Sequence, residues 1–524
     1  MRRPPTTSLR RYLPFVRRAA LPVLILAIAI GGVVMSDRAN ADADPGIATA
    51  VDTGPDLITP IMSARRVPAW LREPTSDNLL SDTIGDVLNG APTGTCVKVT
   101  RGDMLIADNN TTEPIQPGAL QRLLTLSALD SLGGSGFRTE VAISAGAEID
   151  EDGVLQGDIY LIGGGDPVLS TRPFIDRFGD DRAFTNFTEL AGQTIIELQT
   201  LGVTAINGRV VGDESKYEDI SRAYQEENGT GAAGVEQPIW TTEQVASNVV
   251  GPLSALLVNN GFTEWPTSVD PTLNIRVDNP AASAAQLLDS RLEAAGIDVS
   301  NNPGIGDAPA LLERQTVAII DSPPLEEILP RSLVDATTAE MLLIEISVRS
   351  GSEPSRLLGS LYLVTGGLTA AGLPFDIIST RPFDGSGLSS LNRTTCSMLH
   401  AAVESADSAA ASALPPIDQT SVSACAPQWV DDLRVLASSD GATTGLAGRF
   451  SSDNGDEVVF SMLVDDPTRL VADEEPVAEG EEPPEPVGPF ESCNHMQAAL
   501  LDAIGGHPYG PRLETLSPLE TAGR

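Results

Sequence analysis

The segment between residues 95 and 133 constrains the fold more than any other part of this sequence. Two short runs typical of strands, TCVKVT and MLIAD, flank the tight-turn tripeptide RGD, and a helical pattern comes next. In QPGALQRLLTLSALDSLG, residues 116–133, apolar residues recur at the i, i+3, i+4 spacing of a helix face that packs into a core. The order strand, turn, strand, helix predicts the entry into an α/β sandwich.

Further helices and strands are predicted on both sides of this segment. DNLLSDTIGDVLNG, residues 77–90, has the pattern of a helix that is capped near Asp77 or Asn78 and ends at Gly90. PPLEEILPRSLVDATTAEMLLIEI, residues 323–346, and NHMQAALLDAIGG near the end of the sequence are also helical in pattern. ATTGLAGRFSS and DEVVFSMLVDD flank DNG, which predicts a β-hairpin.

The middle of the chain has a different texture. Residues 141–318 contain many short strand-like runs and turns, with the helical runs FTELAGQTIIELQTLG and AASAAQLLDSRLEAAG among them. We therefore predict a mostly β module at 141–318, inserted into one domain made of residues 77–140 and 319–507. Residues 465–490 are acidic and proline-rich, which predicts a disordered loop.

Charge excludes several classes of partner. The chain has 72 acidic and 33 basic residues and a formal net charge of -39. This balance argues against nucleic acid, which needs a basic footprint, and against attraction to anionic lipid. Only two of the basic residues are lysines, Lys98 and Lys216. Any mechanism that needs a deprotonatable lysine therefore has two candidates.

The N-terminus predicts export. Residues 1–18 contain six arginines and precede the apolar run AALPVLILAIAIGGVVM, residues 19–35. Positive charge before an apolar segment keeps the first residues in the cytoplasm and exports the chain beyond that segment. Residues 19–35 are either a signal peptide, with Ala39-Asn40-Ala41 as a cleavage pattern, or a single membrane anchor. Residues 36–76 are predicted to be a tether, and the protein is expected in the cell envelope, secreted or anchored.

The cysteines agree with an oxidising compartment. Cys96, Cys396, Cys425 and Cys493 can form up to two disulfides, and the sequence leaves all three pairings open. Neither their spacing nor that of the three histidines has a metal-ligand pattern. We expect no metal site and no cofactor.

Three glycine-containing segments carry a family resemblance. GDIYLIGGGDPVLS, INGRVVGDESKYED and PFDGSGLSSLNRTT (residues 157–170, 206–219 and 382–395) occur in the order found in the D-alanyl-D-alanine carboxypeptidase/endopeptidase family, the class C low-molecular-mass penicillin-binding proteins. The chain resembles this family from about residue 77 to 505. The resemblance implies a sandwich similar to serine β-lactamases and DD-peptidases, with an antiparallel sheet between helical layers, and serine-type peptidase activity.

Such enzymes use three motifs, and the resemblance locates each of them in this sequence. The Ser-x-x-Lys motif falls on Pro117–Thr125, with Ala119 at the serine and Arg122 at the lysine. The second motif, Ser-x-Asn, falls on Val334-Asp335-Ala336, and the lysine of the third, Lys-Thr-Gly, falls on Ser438. Ala119 has no nucleophilic atom, and Arg122 stays protonated and cannot act as a base.

Other residues are weak replacements for the missing groups. Thr125 and Ser127 lie more than a turn past the nucleophile position, Ser386 and Ser389 belong to a loop that shapes the site floor in the family, and His400 is isolated in sequence. Arg122, Asp384 and Ser386 are candidate binding residues. Arg122 either holds a substrate carboxylate through bidentate hydrogen bonds or pairs with Asp384 or another nearby acid.

Three hypotheses about function remain open at this point. The leading one is an exported pseudoenzyme that binds peptidoglycan stem peptide or a cell-wall protein without acyl transfer. The alternative is an active D-alanyl-D-alanine carboxypeptidase/endopeptidase with an atypical site, and the third is a purely structural envelope protein. An open cleft that faces Ala119 favours binding over a structural role, and covalent labelling by penicillin separates the active enzyme from both.

Overall fold

The computed structural model describes residues 69–178, 183–217, 228–230, 236–246, 249–264, 275–374, 376, 378–420, 422, 433–440, 443–451, 457–465 and 495–507. The predicted cytoplasmic segment, the apolar run 19–35, most of the tether, and residues 466–490 of the acidic segment lie outside these ranges. In the part of the chain that is described, no helix has the length and apolarity needed to cross a membrane.

The first helix begins earlier than the sequence predicts. It spans Ala69–Asn89, so the last eight residues of the predicted tether are helical and Asp77 is not at a cap. Asp77 is buried and accepts two hydrogen bonds from Arg101, from Nε at 2.7 Å and from Nη2 at 2.8 Å. His507 Nε2 lies 3.2 Å from the same carboxylate. This buried ionic cluster gives Asp77 partners that replace the capping role.

The predicted strand–turn–strand and hairpin segments supply four strands of one antiparallel sheet, and Leu433–Asp440 adds a fifth. The spatial order is Leu433–Asp440, Thr443–Ser451, Glu457–Asp465, Gly94–Arg101, Met104–Asn109. We call Gly94–Arg101 the first strand and Leu433–Asp440 the edge strand. The turn between the last two strands in this order contains Gly102 at a φ of +51°, a conformation that glycine adopts without strain. The RGD turn prediction is therefore confirmed.

Helices cover both faces of this sheet. On one face, Ala69–Asn89 and the last helix, His495–Gly505, bury Leu80, Ile84, Leu500 and Ile504 against sheet residues such as Leu446 and Phe460. On the other face lie the helices Gln121–Leu132 and Cys396–Glu404, which we call the central helix and the disulfide helix. An antiparallel sheet between helical layers is the predicted sandwich, and this prediction is confirmed.

The central helix is the element predicted first, and it is almost completely buried. It comes directly after a 3-10 turn, Gly118–Leu120, and its leucines 123, 124, 126 and 129 have no exposed surface. Packed near it are Leu325–Val334 and Ala336–Arg349, where Asp335 ends the first helix and caps the second. The remaining helical segments of this half are Arg356–Tyr362, the π-helix Leu363–Gly367, Leu368–Ala370, Ala409–Ala413 and the 3-10 turn Ile417–Gln419.

The middle of the chain builds sheets of its own. One has the order Gly304–Ile305, Val210–Asp213, Ile159–Ile162, Arg138–Ser144, Arg314–Asp321, and another Asp298–Val299, Ala205–Asn207, Val154–Gln156, Glu148–Ile149. Two long helices are Phe187–Thr200 and Pro280–Ala294. The side chains of Asn186 and Asn279, the residues just before them, cap their N-termini. The predicted boundaries at 141 and 318 fall inside the paired strands Arg138–Ser144 and Arg314–Asp321.

Short elements complete this region. They are the strands Leu169–Ser170, Thr185–Asn186, Asn228–Thr230, Glu236–Pro238, Phe262–Glu264 and Ile275–Arg276, the helices Arg172–Phe178 and Thr242–Ala246, and the 3-10 turns Ser215–Tyr217, Asn259–Gly261 and Leu311–Glu313.

One disulfide, Cys96–Cys396, joins the first strand to the disulfide helix. Cys425 and Cys493 lie outside the described residues.

Candidate active site

The structure brings two of the three motif positions into contact. Ala119 lies in the 3-10 turn before the central helix, 9% exposed, and Ser438 lies on the edge strand, buried. The backbone N–H of Ala119 donates a hydrogen bond to Ser438 Oγ at 3.0 Å. Residues 319 positions apart in sequence thus meet at the place that the resemblance assigns to the nucleophile and the third-motif lysine.

The last helix holds the edge strand in place beside Ala119. The side-chain amide of Gln497 is buried and donates to the carbonyl of Ser438 at 2.9 Å and to that of Gly445 at 3.0 Å. Gln497 therefore ties two neighbouring strands together directly behind the Ser438 position. No pattern in the sequence pointed to this residue, because its partners are 52 and 59 positions away.

Arg122 connects the first motif to the second. Its Nε donates to the carbonyl of Ser386 and its Nη1 to the carbonyl of Leu333, both at 2.8 Å. Leu333 directly precedes Val334, which occupies the serine position of the second motif and is 60% exposed. Ala336, at the asparagine position, is buried. The three stretches that the resemblance assigns to the motifs therefore lie around the start of the central helix.

The floor of the site is the segment 384–389, Asp-Gly-Ser-Gly-Leu-Ser, which we call the glycine loop. Gly387 has a φ of +88°, and a Cβ added there would lie 2.0 Å from the carbonyl oxygen of Gly118. Only glycine allows this loop to lie directly against the turn that contains Ala119. Ser386 is buried, and its hydroxyl donates to Asp384 at 3.3 Å.

Asp384 organises the glycine loop from inside the protein. Its buried carboxylate accepts hydrogen bonds at 2.6–2.8 Å from the backbone N–H groups of Gly387 and Ser389 and from the side chains of Asn392 and Trp240. These donors come from the loop itself, from Asn392 three residues beyond its end, and from Trp240 in the inserted region. The sequence suggested Asp384 as a partner of Arg122, whereas its carboxylate oxygens accept from these four donors and from the Ser386 hydroxyl.

Glu340 supports the same loop and was not identified from the sequence. Its Oε1 accepts hydrogen bonds from the N–H groups of Gly385 and Ser386 at 2.9 and 2.8 Å, and among the described residues its Oε2 has no hydrogen-bond partner. Burial, together with the nearby Asp384 charge, raises the pKa of Glu340 to about 7 against the opposing effect of Arg356. In the sequence, only the pair Ala339-Glu340 after the second motif pointed to this residue.

We expect Glu340 to make the stability of the protein depend on pH. The unfolded chain loses this proton near pH 4.5 and the folded protein near pH 7, so the folded state binds more protons between these values. Stability should therefore fall as pH rises from 4.5 to 7, by on the order of 3 kcal/mol. Urea unfolding at several pH values should show this slope, and Glu340→Gln should remove it. The exposed Glu326→Gln is the control, and an unchanged slope in Glu340→Gln contradicts the expectation.

The other hydroxyls and the histidine considered from the sequence are buried or distant from Ala119. Thr125, Ser127, Ser386 and Ser389 are all buried. His400 lies against Thr100 in the first strand, which two other strands separate from the edge strand, a distance of about 14 Å across the sheet. Burial and the nearby Lys98 ammonium lower the pKa of His400 to about 4.

Cavities are present in the molecule, but at some distance along the chain from the motif positions. One of about 730 Å³ is lined by Asp130 and by residues of the segments 133–138 and 321–329. The other, of about 600 Å³, is lined by parts of three helices and the loop 370–374, and Asp130 lines it too. Ala119 lines neither of these two cavities.

Comparison with known proteins decides the family. Residues 76–264 and 265–415 match the model of the D-Ala-D-Ala carboxypeptidase 3 (S13) family. The chain belongs to this family. It is 27% identical over 369 residues to a D-alanyl-D-alanine carboxypeptidase of an Actinomadura species, and 26% identical over 306 residues to a carboxypeptidase of Mycobacterium tuberculosis. These alignments cover 61% and 58% of this chain, and the chain spans only 64% and 58% of the length of these curated relatives.

A solved structure supports the fold assignment. Penicillin-binding protein 4 from Haemophilus influenzae superposes with a TM-score of 0.57 at 17% identity, over 80% of this chain and 99% of that protein. At this level of identity the likeness concerns the fold. It confirms the predicted sandwich of the DD-peptidase type.

Proposed function

We propose that this protein is a catalytically inactive member of the D-Ala-D-Ala carboxypeptidase 3 family. In this proposal it acts in the cell envelope by binding peptidoglycan stem peptide or a cell-wall protein. The observation that carries the proposal is the hydrogen bond from the N–H of Ala119 to Ser438 Oγ at 3.0 Å. It joins the positions that the resemblance assigns to the nucleophilic serine and to the third-motif lysine, which are Ala and Ser in this chain. It also uses a backbone N–H that acyl transfer would need for the oxyanion.

Serine-type acyl transfer requires a nucleophile, a base that removes its proton, and donors for the oxyanion. Ala119 supplies no nucleophile. Arg122 keeps its proton at any working pH and is held by two backbone carbonyls. The N–H of Ala119, at the position from which the nucleophile residue stabilises an oxyanion, already donates to Ser438. Each of the three requirements therefore fails at the same place.

Neither of the two cavities opens at Ala119, so the proposed binding role rests on the surface around the lost chemistry. Buried hydrogen bonds to Asp384 and Glu340 fix the glycine loop. Arg122 connects this loop to Leu333, the residue before the exposed Val334. A carboxylate ligand would compete with the carbonyls of Ser386 and Leu333 for Arg122. This competition favours recognition through the loop and Val334 over recognition through Arg122.

Labelling with a fluorescent penicillin tests the loss of chemistry. We expect no covalent label on the native full-length chain, because Ala119 offers no atom to which a penicilloyl group could be esterified. The Ala119→Ser/Arg122→Lys variant, labelled in parallel, shows whether these two residues are sufficient to restore acylation. A related active penicillin-binding protein serves as the positive control for the reagent.

Stoichiometric labelling of the native chain that an unlabelled β-lactam prevents would overturn the proposal. Family membership favours this alternative, an active peptidase with an atypical site, and the labelled peptide would identify its serine.

The second part of the proposal, binding to the cell wall, is tested by cosedimentation with purified peptidoglycan. The native chain should sediment with it, and Val334→Glu should sediment less. Ile196→Glu changes a residue of similar exposure, 65%, on the helix Phe187–Thr200, and should have no effect. Absence of sedimentation would leave a cell-wall protein as the partner, to be captured from envelope extracts by cross-linking. No partner in either experiment would contradict the binding role.

A further inference from the structure

The two lysines of this chain have opposite environments. Lys216 Nζ donates to Glu345 at 3.0 Å and to the carbonyl of Gly164 at 2.7 Å. Lys98 is half-buried on the first strand, and within the part of the chain that the structure describes its ammonium has neither a hydrogen bond nor an ion pair. A partly desolvated ammonium without a partner is unfavourable, and an anionic group placed beside it would be stabilised.

The first strand directs Lys98 toward a helix. Side chains of alternate residues on a strand lie on the same face, so Cys96, Lys98 and Thr100 share one face. Cys96 is bonded to Cys396, and Thr100 Oγ1 lies 3.0 Å from His400 Nε2. Cys396 and His400 both belong to the disulfide helix. Lys98 is held between these two fixed contacts. Its position is therefore set by the covalent and polar links on either side.

Lys98 lines the cavity of about 600 Å³, which is within the range of small-molecule sites. Three carboxylates also line it, those of Asp130, Glu404 and Asp407, and all three residues are exposed. The rest of the wall is mixed: small apolar residues alternate with four serines, namely Ala370, Ala371, Ala401, Ala402, Ala409, Leu373 and Pro374 with Ser127, Ser131, Ser405 and Ser408. The cavity thus has a cation in its wall, acidic groups open to solvent, and room for a small aliphatic group.

We propose that this cavity binds a small aliphatic zwitterion, an α-amino acid or a short peptide of such residues. Its carboxylate would pair with Lys98, its ammonium would face the three carboxylates, and its side chain would contact the alanines. A simple anion would be repelled by the carboxylates, and a simple cation would be repelled by Lys98. A zwitterion satisfies both sets of charges at once.

This site is separate from the one around Ala119. Asp130 and Ser131 belong to the last turn of the central helix, whereas Ala119 precedes its first turn. Eleven residues of helix separate Ala119 from Asp130, which corresponds to about 16 Å. Binding at Lys98 does not require that the protein cleave peptide bonds, so the two proposals fail or succeed independently.

Calorimetric titration of the full-length chain tests the proposal. The probes are D-alanine, L-alanine and D-alanyl-D-alanine, with acetate and methylammonium as half-ligands at equal ionic strength. We expect at least one zwitterion to bind about ten-fold or more tightly than either half-ligand, because only it makes both charged contacts. Comparing the affinities of the free amino acids with that of the dipeptide shows which of these two kinds of ligand the cavity accepts. No binding by any zwitterion, or equal binding by a half-ligand, would overturn the proposal.

Variants locate the binding. Lys98→Met should weaken it by about ten-fold or more, and Lys98→Arg, which keeps the charge, should weaken it less. Arg138→Met removes an exposed cation from the other cavity and should have no effect. Should Lys98→Met fail to fold, the exposed Asp407→Asn should still weaken binding by about three-fold. Unchanged affinity in Lys98→Met, or in Asp407→Asn where that variant is the one available, would contradict the assignment.

His400 provides an independent readout. The Lys98 ammonium contributes to the low pKa of His400, so a carboxylate bound at Lys98 should raise that pKa. A titration of the His400 ring resonances with and without the best zwitterion should show the rise in the native chain. A ligand that binds elsewhere would leave the resonances unchanged, and that result would refute the site.

Discussion

Replacing Asp384 by alanine is expected to lower the free energy of unfolding by about 3–5 kcal/mol, because each buried donor left without an acceptor costs about 1–3 kcal/mol. The substitution removes the acceptor of five donors in a buried region: the N–H groups of Gly387 and Ser389 and the side chains of Ser386, Asn392 and Trp240. Loss of this carboxylate should also lower the pKa of Glu340, because the Asp384 charge helps to raise it.

Equilibrium unfolding in urea measures the effect, with Ser390→Ala as the matched control. Ser390 is an exposed residue immediately after the glycine loop, and its substitution should change stability by less than about 0.5 kcal/mol. Asp384→Asn keeps one acceptor oxygen but turns an amide N–H₂ group toward N–H donors. Its loss of unfolding free energy should therefore lie between those of Asp384→Ala and Ser390→Ala. A loss below about 1 kcal/mol for Asp384→Ala would show that the loop does not depend on this carboxylate.

The sequence predicts most of the sandwich because its elements have strong local patterns. Alternation and turn residues located the strands Gly94–Arg101, Met104–Asn109, Thr443–Ser451 and Glu457–Asp465, and helical periodicity located the central helix. The start of the first helix was wrong by eight residues. Asp77 has the form of a capping residue, and only its distant partners Arg101 and His507 show that it lies inside the helix.

The sequence predicted which positions belong to the candidate site, but it did not predict the contacts between them. The resemblance assigned Ala119, Arg122, Val334 and Ser438 to motif positions that the structure places around one turn. The hydrogen bond between Ala119 and Ser438 depends on two strands and a helix that meet only in the folded chain. Gln497 and Glu340 were missed for the same reason, since a buried Gln or Glu has no local pattern that distinguishes it from a surface residue.

The disulfide shows the same limit of sequence information. Four cysteines allow three pairings, and their spacing does not choose among them. The structure selects Cys96–Cys396 because the first strand and the disulfide helix pack face to face, with both cysteines buried. The same contact fixes the wall of the cavity that contains Lys98. A covalent link at this point therefore supports both the sandwich and the proposed ligand site.

We expect Cys96→Ala/Cys396→Ala to lower the free energy of unfolding by about 2–5 kcal/mol. The link closes a loop with a sequence separation of 300, so its removal restores a large amount of conformational freedom to the unfolded chain. Urea unfolding under non-reducing conditions measures the loss. Substitution is preferable to a reducing agent, which would act on every cysteine of the chain.

The single variants Cys96→Ala and Cys396→Ala provide the internal control. Each alone abolishes the same cross-link, so each should lose nearly as much stability as the double variant, and the two single effects should not add. Additive effects would mean that the two side chains stabilise the fold independently, as packed thiols of about 1–2 kcal/mol each. Strong non-additivity, together with a total loss of several kcal/mol, requires a covalent bond between them in the folded protein.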